Sequence, residues 1–95
     1  MQDVDFEWDD DKAARNWRYH GISFDMARHA FGDVFAMAWV DNRHGDTEER
    51  FNMLDMMETR LLHITYTLRD ERVRIISARK AEPHERRRYH DENEA

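Results

Sequence analysis

Leu62-His63-Ile64-Thr65-Tyr66-Thr67-Leu68-Arg69-Asp70-Glu71-Arg72-Val73-Arg74-Ile75-Ile76-Ser77-Ala78 is the stretch that decides the fold. Leu62, Ile64, Tyr66 and Leu68 alternate with His63, Thr65 and Thr67, the two-residue period of a strand with one apolar face. Arg69-Asp70-Glu71 is a short polar link. After it, β-branched Val73, Ile75 and Ile76 mark a second strand, Arg72 to Ala78. A link this short joins neighbours that run antiparallel.

Upstream, Phe51, Met53 and Met57 keep the two-residue period around Asp55 and give a preceding strand. Phe35 to Val40 is nearly all apolar, which predicts a strand covered on both sides, and Asp41 to Asp46 is a polar turn. Downstream, Pro83 suits the first position of a final helix, and Glu85 places negative charge near its positive end. At the N-terminus, Phe6-Glu7-Trp8 suits a short strand. Asp9 to Asp11 can cap a helix that runs to about His20, with Ala13, Trp17 and His20 on one face and Gly21 ending it. Ser23 caps a second helix in which Ile22 staples against Ala27 and Phe24, Ala27 and Phe31 share a face, stopped by Gly32.

The expected architecture is α+β: a short N-terminal strand, two helices, an antiparallel sheet of about four strands and a C-terminal helix, with helices packed against the sheet. At 95 residues the chain makes one domain, expected over residues 1–90, with 91–95 a polar, frayed tail. Apolar residues make up 40% and charged residues 38%, so the core is thin. Without cysteine the chain has no disulfide framework, thiolate chemistry or cysteine-built metal site. The N-terminus carries no export signal and no stretch is long enough to span a membrane, so a cytoplasmic setting is expected.

A net charge of −6 argues against nucleic acid until its distribution is read. Arg69 to Arg88 holds eight Arg or Lys and four Asp or Glu, a local +4 that leaves −10 for the remainder. A basic segment of this kind is the electrostatic footprint of phosphate binding.

Five ordered pieces carry a family likeness. They are Phe6-Glu7-Trp8-Asp9 with Lys12 and Ala13; His20-Gly21-Ile22-Ser23-Phe24; Glu49-Arg50-Phe51; Arg60-Leu61-Leu62 with Tyr66-Thr67; and Arg72-Val73-Arg74-Ile75-Ile76-Ser77-Ala78-Arg79-Lys80-Ala81 with Glu85-Arg86 and Tyr89. Together they resemble the BrnT toxins, and the Arg-Ile-Ile-Ser-Ala-Arg block is the most specific part. The resemblance implies a RelE-like fold, a ribonuclease that inhibits translation, and neutralisation by a BrnA-type antitoxin of ribbon-helix-helix fold. Operator DNA would be reached only through that antitoxin. The sequence departs from the family pattern at Asp55, where glycine is usual, and a bulge or turn there is open to change.

Metal-independent RNA cleavage needs a base for the 2′-hydroxyl, cations for the charged phosphorane and an acid for the 5′-oxygen. Arg74 and Arg79 lead as phosphate contacts because the guanidinium fork matches phosphate oxygens and stays charged. Ion pairing with Asp or Glu accounts for them equally well. His20 is a candidate base or acid, although a histidine in the last helical turn also suits the negative dipole end with no further role. Glu49 serves as a base if burial raises its pKa, and otherwise as half of a surface ion pair. Lys12, Arg50, Arg72, Lys80 and Arg86 are candidate RNA contacts. Arg86, Arg87 and Arg88 span a helical arc and cannot all face one ligand. His44 lies in a polar loop of the kind that often carries functional groups. The tryptophans and phenylalanines are assigned mainly to packing, as is Tyr89.

No metal or other cofactor is expected. His84-Glu85 begins like a zinc-protease helix motif, but Arg88 stands where the second histidine belongs, and His84 and His90 fall on different faces. Two functions remain open, an endoribonuclease toxin and a non-catalytic module that docks an antitoxin and modulates operator binding.

Overall fold

The computed structural model describes residues 1–43 and 48–93. The chain runs β1 (Phe6–Glu7), α1 (Asp10–His20), α2 (Phe24–Ala30), β2 (Met37–Asp41), β3 (Arg50–Met57), β4 (Arg60–Arg69), β5 (Arg72–Lys80) and α3 (Pro83–Asn93). Both early helices start and stop on local chemistry. Asp9 accepts from the Asp11 amide at the head of α1, and Gly21, at φ 67°, returns its N–H to the Trp17 carbonyl, a left-handed stop that glycine adopts at no steric cost. The Ser23 hydroxyl accepts from the Met26 amide at 3.0 Å, satisfying one orphan donor of α2.

The sheet has the order β1-β5-β4-β3-β2. The quoted stretch forms its centre, with β4 antiparallel to β5 on one side and to β3 on the other. β2 to β5 are antiparallel, and the short N-terminal strand β1 joins the same sheet as a fifth member at its edge. It lies parallel to β5, pairing Phe6 with Val73 and Glu7 with Arg74. Parallel placement follows from the long connection between them, which leaves the chain free to return in either direction. Opposite Thr65 and Tyr66 the register shifts, so that Ile76 is the extra residue of a β-bulge. At Asp55, β3 passes through without a break.

α1 and α2 lie on one face of the sheet. Ile22, Phe24, Ala27 and Ala30 meet Leu62, Ile64, Tyr66, Ile75 and Ala78, with Phe6, Phe31, Phe51 and Trp8 around them. Phe31 stands edge-on to both Phe6 and Tyr66, geometry that aromatic quadrupoles favour. On the other face α3 covers only one end, where Tyr89 and Ala81 pack on Leu54 and Leu61.

Three local expectations change. β2 is an edge strand that alternates between exposed and half-buried residues, not one covered on both sides. It begins at Met37 because Asp33 caps a turn ahead of it, accepting from the Phe35 amide while the Ala36 amide reaches the Asp33 carbonyl, which leaves Phe35 exposed. Trp17 is 57% exposed. The face of α1 that meets the sheet is centred on Asn16, which donates to the carbonyls of Ile22 and Ala78 and accepts from the Ala78 amide. Residues 91–93 continue α3, and Asn93 donates to the Tyr89 carbonyl. Among the described residues no helix is long and apolar enough to cross a membrane.

Candidate nucleic-acid interface

Because side chains of paired residues project to the same side of a sheet, strand register lays out the open face in rows. One row crosses all five strands as Glu7, Arg74, Thr67, Arg50 and Asp41. The next holds Ser77, Thr65, Asn52 and Trp39, and a third Arg79, His63, Leu54 and Met37. The polar phase of β4 therefore runs down the middle of the face. The long side chains of its neighbours bury it, which is why Leu61 to Thr67 is buried at every position.

The first row gathers cations. Lys12, from α1, joins Arg50, Arg69, Arg74, Glu48 and Thr67 around a pocket of about 70 Å³, with Ile76 of the bulge in its wall. Arg74 lies 3.3 Å from the Glu7 carboxylate, which is 13% exposed. Arg69 donates to both oxygens of Glu48 at 2.8 and 3.1 Å, and this holds the Glu48 carboxyl below its ordinary pKa. The Thr67 hydroxyl donates to the Glu49 carbonyl at 2.6 Å, fixing the entry to β3.

At the far end of the face lies a larger cleft of about 410 Å³, lined by residues that include Trp39, Arg43, Asn52, His63, Arg79 and Glu85. Arg79 makes a two-pronged pair with Glu85, at 2.8 and 3.1 Å. Glu85 also accepts from the Glu82 amide, so one carboxylate both orients a guanidinium and caps α3. His63 sits 3.6 Å from Glu85 and edge-on to Trp39. Burial, reinforced by the Arg79 charge, pulls its pKa down despite the opposing influence of Glu85. On the opposite rim Arg43 grips Asp41 through Nε and a terminal nitrogen. Those contacts depress the carboxyl of Asp41, whose side chain is 1% exposed. The Thr65 hydroxyl donates to Asn52, which in turn supports Asp41.

The nine candidate residues separate into groups. Lys12, Arg50 and Arg74 converge on the small pocket. His20 lines an adjoining shallow depression with Arg15 and Tyr19, and that depression shares Lys12 and Ile76 with the small pocket. Arg79 stands at the larger cleft. Glu49 is exposed just ahead of β3, and its carbonyl makes its one described contact. Arg72 donates to the Asp3 carbonyl at 2.8 Å and so ties down the N-terminal segment. Lys80 and Arg86 line a separate pocket beside α3. His44 lies outside the described residues.

Sequence reasoning missed Glu7, Trp39, His63 and the Asp41–Arg43 pair. His63 carried a signal, since it occupies the polar phase of a strand buried on its other side. Tyr89 packs, as expected, and also donates to Asp33 at 2.7 Å. Arg86, Arg87 and Arg88 do diverge, with Arg88 over the Trp39 ring at 4.6 Å and Arg86 on the other flank. Among the described residues no group of three or more His, Cys, Asp or Glu converges to hold a metal ion.

A search of curated proteins gives no match. The family model of the ribonuclease toxin BrnT, of type II toxin-antitoxin systems, matches residues 8–85. That span runs from Trp8, just past β1, to Glu85 in α3, and takes in β2 to β5 but not Glu7. The chain belongs to the BrnT family of ribonuclease toxins from type II toxin-antitoxin systems.

Proposed function

We propose that the chain cleaves single-stranded RNA on the open face of the sheet by a metal-independent route, with the scissile phosphate at the Lys12–Arg50–Arg74 pocket. One observation carries this reading: four cations, Lys12, Arg50, Arg69 and Arg74, meet around a single pocket whose wall also holds Glu48, the carboxylate that grips Arg69, and Arg74 lies beside the largely buried Glu7. Fixed cations stabilise a pentacoordinate phosphorane without reorganising as its charge develops. A phosphate that engages Arg74 competes with Glu7 for the guanidinium and releases a Glu7 oxygen to act as base. Glu7 then takes the 2′-hydroxyl proton, the 2′-oxygen attacks phosphorus, and the bond to the 5′-oxygen breaks. A proton from the Lys12 ammonium completes the leaving alcohol, giving a 2′,3′-cyclic phosphate and a 5′-hydroxyl.

Arg79 contacts the chain further along the face, and His20 contacts a neighbouring nucleotide. From Thr67 to His63 is four residues of strand, about 13 Å, room for two successive phosphates. The helix-backed sheet with one open polar face fits the RelE-like plan. Within the family's type II setting a protein antitoxin is the partner, and we propose the BrnA type for it, in the cytoplasm.

The deciding experiment is cleavage of an RNA oligonucleotide in excess chelator by the wild type, Arg74→Ala, Glu7→Gln and Glu49→Gln, with end-group analysis. Cyclic phosphate ends from the wild type and loss of cleavage in the first two variants are expected. Glu7→Gln should still bind RNA. Intact RNA in chelator overturns the metal-free route, and full activity of Glu7→Gln moves the base elsewhere, to Glu49 if its variant is the silent one. A non-catalytic docking module is the second reading. It is favoured by the carboxylates that already neutralise Arg69, Arg74 and Arg79, and it predicts no cleavage by any folded form.

A further inference from the structure

Across the described residues the arginines divide sharply. Arg28, Arg43, Arg69, Arg74, Arg79 and Arg88 each pair with a carboxylate. Lys12, Arg15, Arg18, Arg60, Lys80, Arg86 and Arg87 make no side-chain ion pair or hydrogen bond among those residues, and three of them, Arg60, Lys80 and Arg86, line one pocket of about 210 Å³, together with His90, Met56 and Leu61. Among the described residues no Asp or Glu lines it, in a chain whose net charge is −6. Three like charges around one hollow repel one another, and no described carboxylate lies in its wall to pair with them.

The pocket lies apart from the RNA face. At 3.6 residues per turn, Glu85 and Tyr89 form the buried seam of α3. His84 and Arg88 fall on one flank, toward the larger cleft and Trp39, and Arg86 and His90 on the other. α3 is anchored along that seam by Glu85 to Arg79 and Tyr89 to Asp33, so it stands as a wall between the two surfaces. An RNA strand on the open face would have to climb over the helix to enter.

We propose that this pocket binds an acidic peptide segment of a protein partner, with an apolar side chain seated on Met56 and Leu61 and carboxylates meeting Arg60, Lys80 and Arg86. Charge complementarity selects the partner's sign, and the apolar floor favours a peptide over a bare phosphate chain. Membership of a toxin-antitoxin family supplies a protein partner, and the inference rests on that membership and not on the cleavage mechanism.

The probe is an eight-residue peptide of alternating Glu and Leu, with a Gln-Leu peptide and a single-stranded RNA oligonucleotide as comparisons, followed by NMR titration of the full chain. The Glu-Leu peptide should shift Arg60, Lys80, Arg86 and His90 signals, more weakly at high salt. The combined variant Arg60→Ser, Lys80→Ser and Arg86→Ser should bind it at least about tenfold less well, with melting temperature and RNA cleavage retained. The proposal falls if the Glu-Leu peptide leaves those signals unmoved or binds the variant equally, or if the Gln-Leu peptide binds as tightly. It also falls if RNA shifts those residues in preference to the peptide. Loss of cleavage in the variant with its fold intact would instead count against the placement of the RNA site.

Discussion

Asn16 pairs with Ala78 as a strand would: its side-chain nitrogen donates to the Ala78 carbonyl at 2.7 Å and its oxygen accepts from the Ala78 amide at 3.1 Å. β1 covers the outer edge of β5 only at Val73 and Arg74, so further along that edge backbone groups need partners from outside the sheet. A single amide from α1 supplies both at Ala78 and locks the helix to the sheet. Asn16→Ala should cost about 2–4 kcal/mol, because it leaves a buried amide and a buried carbonyl unsatisfied. Denaturant unfolding measures it. Asn16→Asp should be almost as harmful, since it keeps the acceptor and loses the donor.

Arg74 and Lys12 should separate binding from folding. Lys12→Ala is expected to leave the unfolding free energy within about 1 kcal/mol of wild type, because Lys12 makes no ion pair among the described residues. Arg74→Ala should cost more, about 1–3 kcal/mol, because it leaves the largely buried Glu7 carboxylate without its partner. Both variants should remain folded. Each should weaken RNA binding and flatten its salt dependence by roughly one unit of log–log slope. Unchanged salt slopes in both variants would place the phosphate elsewhere.

Asp55 sets a pH dependence of stability. It is completely buried, and neither carboxylate oxygen has a hydrogen-bond partner. Burial, with the Asp33 charge adding to it, raises its pKa from 3.8 to about 8. The native state thus holds a proton that the unfolded chain releases above pH 4. Stability must fall as pH rises from there to about 8 and level off beyond, a loss on the order of a few kcal/mol. Asp55→Asn should remove most of that slope, as thermal melts between pH 5 and 8.5 would reveal. A slope that survives the substitution assigns the effect to another group.

Glu85 acts in the opposite sense. Its pKa is lowered by the Arg79 and Glu82 contacts against the pull of burial, so its contribution is present above its ordinary pKa and drains away as pH falls through the depressed value. Glu85→Gln should loosen the head of α3 and free Arg79 from its fixed direction. Faster amide exchange from Glu82 through Arg88, with central β4 unchanged, is the expected readout.

Tyr89→Phe isolates the hydrogen bond to Asp33 while keeping the ring that packs on Leu54 and Leu61. A loss of about 1–2 kcal/mol is expected. Asp33 also accepts from the Met56 amide, so the removed bond is one of several holding that turn to β3 and α3.

The amino-acid sequence by itself determined what depends on neighbours along the chain. The alternation of Leu62 to Leu68, the link at Arg69 to Glu71, the helix stop at Gly21 and the helix start at Pro83 are local, and each appears where its chemistry requires. The basic segment was legible as charge and the family as an ordered set of motifs. What only the tertiary structure decided depends on register and edges. Phe6–Glu7 became a fifth, parallel strand because β5 had an open edge to fill, and Trp17 yielded the buried face to Asn16 because that edge needed hydrogen bonds more than apolar area. Register also split the arginines, putting Arg74 in one row with Glu7 and Arg50 and Arg79 in another with His63. The phase of a strand tells which face a side chain takes. Its neighbours on that face come from strands and helices far away in sequence, and only packing the whole chain brings them together.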